Sequence, residues 1–494
     1  MASITYPAHG SEHTFEVTPL SATPAMAPSA AAAPARATRG RPAAPPVVFD
    51  PTAFITAVRR SATMRTRVPS DDPATLAIVH AAPATRGAAR SAARSAARAA
   101  AARPLYAGTM TIMTPSIIVE GARTDDMKAA RNAGARIVHE GFDGKALLAV
   151  DDVGDVARIC ELLAKREVGS VTPNFLRRFG RTPRSAQPQA WAHGKIRLST
   201  AWKITKGTAA VRVAVLDEGV DTSHPALKGA VAAERDFIGD NGNSAMPDGN
   251  DAHGTACAGI ILARGTKAPG IAPRCSLVAA RIAMDDGSGN WVFDDYATAD
   301  AIDWCWRNGA AVLSNSWGGG APSDAISRAF GRARTQGRGG KGALVCIAAG
   351  NDQIAIDFPG NLPGYVTVGA SNPKDERKTR TSSDAETWWG SNFGPTMWLL
   401  APGVFIHTTD IAGASGYETG DYTATFNGTS SATPHVAGAA ALMLSANPTL
   451  TASAVRTLLS STAKAIAGQK GWTKELGYGR LDVGAAVAAA KQHP

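Results

Sequence analysis

The chain has 494 residues, 44% hydrophobic and 19% charged, with a formal net charge of +10. That length allows two or three domains, and no apolar run is long enough to span a bilayer, which argues against a helical membrane protein. Five cysteines (Cys160, Cys257, Cys275, Cys305, Cys346) are odd in number, widely spread and without a CxxC pair, which argues against a disulfide framework or a zinc site and fits a reducing compartment.

The N-terminus, residues 1–17, has no basic start followed by an apolar core, so no secretory signal is read; cytoplasm is the default expectation, with leaderless export as the alternative. Residues 1–104 are rich in Ala, Pro, Ser and Arg and are expected to be mostly disordered. Twelve arginines face five acids within residues 1–105, a surplus of seven out of the net +10. The basic character therefore belongs to this tail. Arg86, Arg90, Arg94 and Arg98 recur every four residues in an Ala background and would line one face of a short helix. No aromatic is interleaved with them, so a solvated linker is favoured over a nucleic-acid or anionic-membrane contact.

Residues 105–180 change character. Strands are expected at 116–119, 135–139, 146–150 and 168–176, and helices at 125–133 and 153–165. The order βαββαβ suggests a small α+β ferredoxin-like module. Residues 181–200 form a polar joint flanked by Arg177, Arg178, Arg181 and Arg184, a site open to proteolytic nicking.

From residue 181 to 494 the pattern is α/β. Strands at 211–216, 276–281, 312–316, 343–348 and 366–369 alternate with helices, two of which begin at His253 and Asp295. This predicts a doubly wound, mostly parallel sheet with helices on both faces. Functional residues then belong at strand C-terminal ends and helix N-termini.

Four stretches meet that condition. Asp217 ends a strand in Leu216-Asp217-Glu218-Gly219, and His253 opens a helix in His253-Gly254-Thr255. Asn351 leaves a strand in Ala349-Gly350-Asn351. Ser430 opens a buried helix in Gly428-Thr429-Ser430-Ser431-Ala432-Thr433-Pro434-His435, with Pro434 expected in its first turn. A buried Asp can fix an imidazole tautomer, His can take a Ser proton, and Ser can attack a carbonyl. An Asn amide and the Ser430 main-chain N–H can hold the resulting oxyanion at a helix N-terminus. Each residue alone has an ordinary reading, as turn residue or helix cap.

Together, in the order Asp, His, Ser, these motifs resemble the subtilisin-like serine proteases, the subtilases, from about residue 190 to Gly477-Tyr478-Gly479-Arg480-Leu481-Asp482. The resemblance implies a serine endopeptidase with Ser430 as nucleophile, His253 as general base, Asp217 as its orienter and Asn351 as oxyanion donor. It implies that residues 105–180 are an inhibitory propeptide and partner of the enzyme. It also implies that polypeptide substrates add as a strand between Gly287-Ser288-Gly289 and Ser316-Trp317-Gly318. No cofactor is expected; the family often carries structural calcium, but no acidic loop here names its ligands. Glu218 departs from the Ser or Thr usual after the catalytic Asp, which puts a second carboxylate beside the triad. Asp357 aligns with the bottom of the first specificity pocket and Asp352 with its rim, a pair that would favour Lys or Arg in the substrate; a solvated turn residue is the alternative for Asp357. Two further readings of the whole are a self-inhibited, non-catalytic binding protein and a nucleic-acid-tethered protein using the Arg-rich tail.

Overall fold

The computed structural model describes residues 2–8, 11–20, 51–68, 72, 75–81, 109–141, 144–166, 168–180, 191–239, 244–286, 290–466 and 468–494. The chain divides into two compact units, one of residues 1–180, 286–296 and 320–325, the other of residues 181–285, 297–319 and 326–494. The Arg86–Arg98 repeat, Arg181, Arg184 and the loop Gly287, Ser288, Gly289 lie outside the described residues.

The first unit is a sheet with helices. Its strands are β1 (Ala2–Ala8), β2 (Ser11–Pro19), β3 (Ala77–Ala81), β4 (Thr109–Glu120), β5 (Arg136–Glu140), β6 (Lys145–Ala149) and β7 (Ser170–Gly180). With helices Thr124–Asn132 and Val153–Ala164, β4 to β7 realise the βαββαβ order, in the antiparallel sequence β5-β6-β4-β7. The long β4 serves two neighbours on one edge: Met113 and Ile112 pair with β3, while Ser116 to Glu120 pair with β6. On β7's other side runs the strand Asn290–Asp294, antiparallel, with Trp291 opposite Phe179 and Phe293 opposite Arg177.

Residues 1–104, expected to be mostly disordered, include ordered elements in their described part. Strands β1 to β3 extend the sheet, and helices Pro51–Val58 and Ala62–Arg67 accompany them. Phe54, Ile55 and Val58 recur at helical spacing and are buried, as are Phe15, Val17 and Val79 in the strands. The Ala/Pro/Arg bias of the surrounding sequence hides this short amphipathic signal. Arg177 and Arg178 are likewise not part of an open joint. Arg177 is buried in β7, its guanidinium forked onto the Asp295 carboxylate at 2.6 and 3.0 Å, and Arg178 donates to Asp286 at 2.7 Å. Burial pushes the Asp295 carboxyl up, against the downward pull of Arg177.

The second unit is built on seven parallel strands: β8 (Arg212–Asp217), β9 (Val231–Asp236), β10 (Ser276–Arg281), β11 (Ala310–Asn315), β12 (Leu344–Ala348), β13 (Val366–Ser371) and β14 (Met397–Pro402). Their order is β14-β13-β12-β11-β8-β10-β9. Strand order reverses at β8, so a crevice opens beyond its C-terminal end. Strands β8, β10, β11, β12 and β13 are runs rich in Val, Ile, Leu and Ala that are buried on both faces, as a helix-covered parallel sheet requires, whereas the edge strand β9 carries Glu234 and Arg235 and is only partly buried. Two helices point their N-termini at that crevice. One is His253–Leu262, buried throughout; the other is Thr429–Ala446, buried from Thr429 to Leu444.

Candidate active site

Asp217 is the last residue of β8 and is buried. His253 is the first residue of its helix, and its Nδ1 donates to Asp217 Oδ1 at 2.9 Å and faces Oδ2 at 3.1 Å. The pairing needs Gly254. A Cβ there would lie 2.0 Å from the Gly219 carbonyl oxygen and 2.9 Å from Asp217 Cβ, so any side chain would push the helix off the strand end. The imidazole is also packed edge-on against Phe426, with ring centroids 5.2 Å apart.

Glu218 supplies what Ala252, the residue at the N-cap, cannot. Its buried carboxylate accepts the His253 main-chain N–H at 2.7 Å, while its own N–H donates to Asp217 Oδ1 at 2.9 Å. An acid at a helix N-terminus is electrostatically matched there. Glu218 is thus a capping group, a role that its place in the sequence did not reveal.

Ser430 is the second residue of its helix, after Gly428 at φ 113°, a conformation that favours glycine. Its Oγ donates to the Ser316 carbonyl at 3.2 Å. Pro434 sits one turn deeper than expected, in the helix interior. Lacking an N–H, it leaves the Ser430 carbonyl without its i+4 helical partner. Two side chains take that place: Ser316 Oγ donates to it at 2.9 Å and Cys257 Sγ at 3.6 Å. The same Cys257 sulfur lies 3.7 Å from His253 Nδ1. Burial, with the Asp217 charge adding to it, pushes the Cys257 thiol up, which keeps it protonated and unreactive.

Asn351 is the third residue after β12. Its Oδ1 accepts both the Thr429 N–H at 2.8 Å and the Thr429 hydroxyl at 3.0 Å. With the oxygen so held, Nδ2 lies along Gly428, 3.4 Å from where a Cβ would stand. Ser316 and Trp317 leave the end of β11, Trp317 stacking on Phe330, and the Gly319 N–H donates to the Phe358 carbonyl. Gly318 packs on that same carbonyl, 3.2 Å from its would-be Cβ.

Asp357 is exposed and its carboxylate accepts the Phe358 N–H at 2.8 Å, a turn-capping contact. Asp352 is half-buried; burial, reinforced by the Asp357 charge and opposed by Arg380, pushes its carboxyl up to about 6.

The only group of metal-capable side chains among the described residues is Asp217, His253 and Cys257. Its nitrogen and sulfur donors do not fit calcium, which takes a shell of oxygens.

Comparison with known proteins agrees with this architecture. Residues 208–479 match the subtilase family, peptidase S8. Thermitase from Thermoactinomyces vulgaris is 34% identical over 278 residues, 56% of this chain and 88% of thermitase. Subtilisin DY from Bacillus licheniformis is 38% identical over 262 residues, 52% of this chain and 84% of that protein. Among solved structures, fervidolysin from Fervidobacterium pennivorans, described as a keratinolytic enzyme related to subtilisin, superposes with a TM-score of 0.62 at 25% identity, covering 77% of this chain and 61% of fervidolysin.

Proposed function

This chain belongs to the subtilase family of serine endopeptidases, and we propose that it hydrolyses peptide bonds through an acyl-enzyme on Ser430. The observation that carries the reading is the Asp217–His253 hydrogen bond beside the N-terminus of the Ser430 helix. His253 donates Nδ1–H to Asp217, which leaves Nε2 as the basic nitrogen. In the proposed cycle Nε2 takes the Ser430 proton as Oγ attacks the scissile carbonyl, then returns it to the leaving amine. The carbonyl oxygen, now negative, is held by the Ser430 N–H and Asn351 Nδ2. Water then enters on the same path and releases the acid. The substrate pairs as an added strand along Ser316, Trp317 and Gly318, which leave the end of β11.

Asp352 and Asp357 give the first specificity pocket a preference for Lys or Arg. The charge of Asp357 on Asp352 supports their closeness. Residues 105–180 act as the propeptide. Its βαββαβ fold, and the strand Asn290–Asp294 paired on β7, support that assignment. Structural calcium would require an oxygen-rich loop, and no step here depends on one.

The test is intact mass over time for purified wild type and Ser430→Ala. Wild type is expected to shorten by roughly the first 180 residues while the variant stays whole. Equal persistence of both, with wild type inert toward peptides, would favour the inhibited, non-catalytic reading.

A further inference from the structure

Residues 372–391 connect β13 to the approach of β14 through a turn built around Lys378. This lysine is fully buried. Its main chain is fixed on both sides, the N–H donating to the Ala370 carbonyl and the carbonyl accepting the Ser391 N–H, each at 2.8 Å. Its ammonium meets five oxygens: the carbonyls of Thr379 at 2.5 Å, Glu386 at 2.7 Å and Trp389 at 3.2 Å, the Ser382 hydroxyl at 3.3 Å and Asp384 Oδ1 at 3.2 Å. The Trp389 ring closes one side, 5.0 Å away. An ammonium has three protons, so five oxygens converging on one nitrogen form the shell of a bound ion more than a set of paired hydrogen bonds.

The cage leads to the reactive serine. Glu386, whose carbonyl is one of the five oxygens, is itself buried. Its carboxylate accepts Trp389 Nε1 at 2.6 Å and Asn427 Nδ2 at 2.8 Å. Asn427 Oδ1 in turn accepts the Phe405 N–H at 2.7 Å. Asn427 immediately precedes Gly428, where the Ser430 helix begins. The buried Glu386 charge would be costly without a nearby cation. Lys378 supplies it, with Asp384 as the second anion.

We propose that Lys378 is a tethered cation: its ammonium fills an oxygen cage suited to a monovalent ion and, through Glu386 and Asn427, positions the turn that presents Ser430. Lys378 is therefore a positioning residue, built into a loop that needs no free metal to close. The positioning half of this inference rests on Ser430 being the nucleophile; the cage does not.

The test uses the full chain. Thermal unfolding is followed in the Ser430→Ala background, where self-cleavage plays no part, and kinetics in the otherwise native enzyme. Lys378→Met keeps the volume and removes the charge; it is expected to lower the Tm by roughly 5–10 °C and kcat by about tenfold or more, with KM within about twofold. Lys378→Ala opens a space for an added amine. Propylammonium chloride is expected to recover at least about half of the lost Tm and kcat, whereas tetramethylammonium chloride at equal ionic strength, too bulky and without N–H donors, recovers neither. Unchanged Tm and kcat in Lys378→Met, or equal recovery with tetramethylammonium, would overturn the cage. If both lysine variants fail to fold, Glu386→Gln carries the test: a fall in kcat at constant KM supports the relay and an unaltered kcat removes it. Activity surviving in Ser430→Ala would refute the nucleophile assignment separately, and the Tm comparisons would still decide on the cage.

Discussion

The Glu218 carboxylate and the His253 main-chain N–H are 2.7 Å apart, so the residue after the buried Asp217 caps the helix on which the imidazole rides. The same residue sends its N–H to Asp217 Oδ1. Strand end and helix start are thereby tied together through one amino acid. Removing the side chain leaves a buried N–H without this acceptor and loosens the imidazole against its partner. Glu218→Ala is expected to lower kcat/KM by roughly 10- to 100-fold. Glu218→Gln, whose amide oxygen still accepts, should stay within about threefold of wild type. Steady-state kinetics on one peptide substrate decides, and equal loss in both variants would assign the effect to charge instead of capping.

Asn351 has its oxygen committed to Thr429. If its Nδ2 serves the oxyanion, Asn351→Ala should reduce kcat by about 10²- to 10³-fold while KM hardly moves. A proportional rise in KM would instead point to substrate positioning.

Asp352 titrates near pH 6 because burial and Asp357 oppose its ionisation. If Asp352 and Asp357 line the first specificity pocket, that pocket gains a negative charge as pH rises through that value. The ratio of kcat/KM for an Arg substrate over its Leu counterpart is therefore expected to climb between about pH 5 and 7. Asp352→Asn should flatten the climb, and Asp357→Gly should lower the ratio at every pH. A preference for Leu that is the same in Asp357→Gly would discard the acidic pocket.

His435 is buried in the Ser430 helix, its Nδ1 donating to the Ser431 carbonyl at 2.8 Å, and burial draws its pKa down to about 3 from the ordinary 6.5. The unfolded chain takes up a proton that the folded chain refuses, so stability is present above pH 6.5 and is lost as pH falls from there toward 3. Thermal unfolding of Ser430→Ala from pH 7.5 to 4 should show this slope. Adding His435→Gln should reduce it by up to one proton, and an unaltered slope would place the acid sensitivity elsewhere.

The parallel sheet was legible because buried strands such as Val213 to Leu216 are apolar without interruption, and their helices begin at recognisable small-residue motifs. Asp217, His253, Asn351 and Ser430 were legible as candidates for the same reason: each sits at the end or start of such an element. What could not be read was where side chains turn. Glu218 adjoins Asp217 in sequence, yet its carboxylate goes to the main chain of residue 253. Arg177 looked like part of an open basic joint and is buried on Asp295. The Lys378 shell is mostly main-chain oxygen, which carries no residue signature at all. In the first hundred residues, biased composition masked the few apolar positions that pair β2 with β3 and β3 with β4.

The interior proline of the Ser430 helix has a bearing on how the molecule matures. The carbonyl that Pro434 leaves unserved is held by a hydroxyl from the end of β11 and a thiol one turn into the His253 helix. Two stretches of chain, 173 and 114 positions from Ser430 in sequence, must both be in place before that carbonyl is satisfied. This rung near the start of the helix is consequently completed by tertiary structure, not by the helix itself. If Ser430 is the nucleophile, its reactivity should then arrive late in folding and all at once, so that a labelled probe of the serine would report the finished sheet and remain silent toward any partly assembled intermediate.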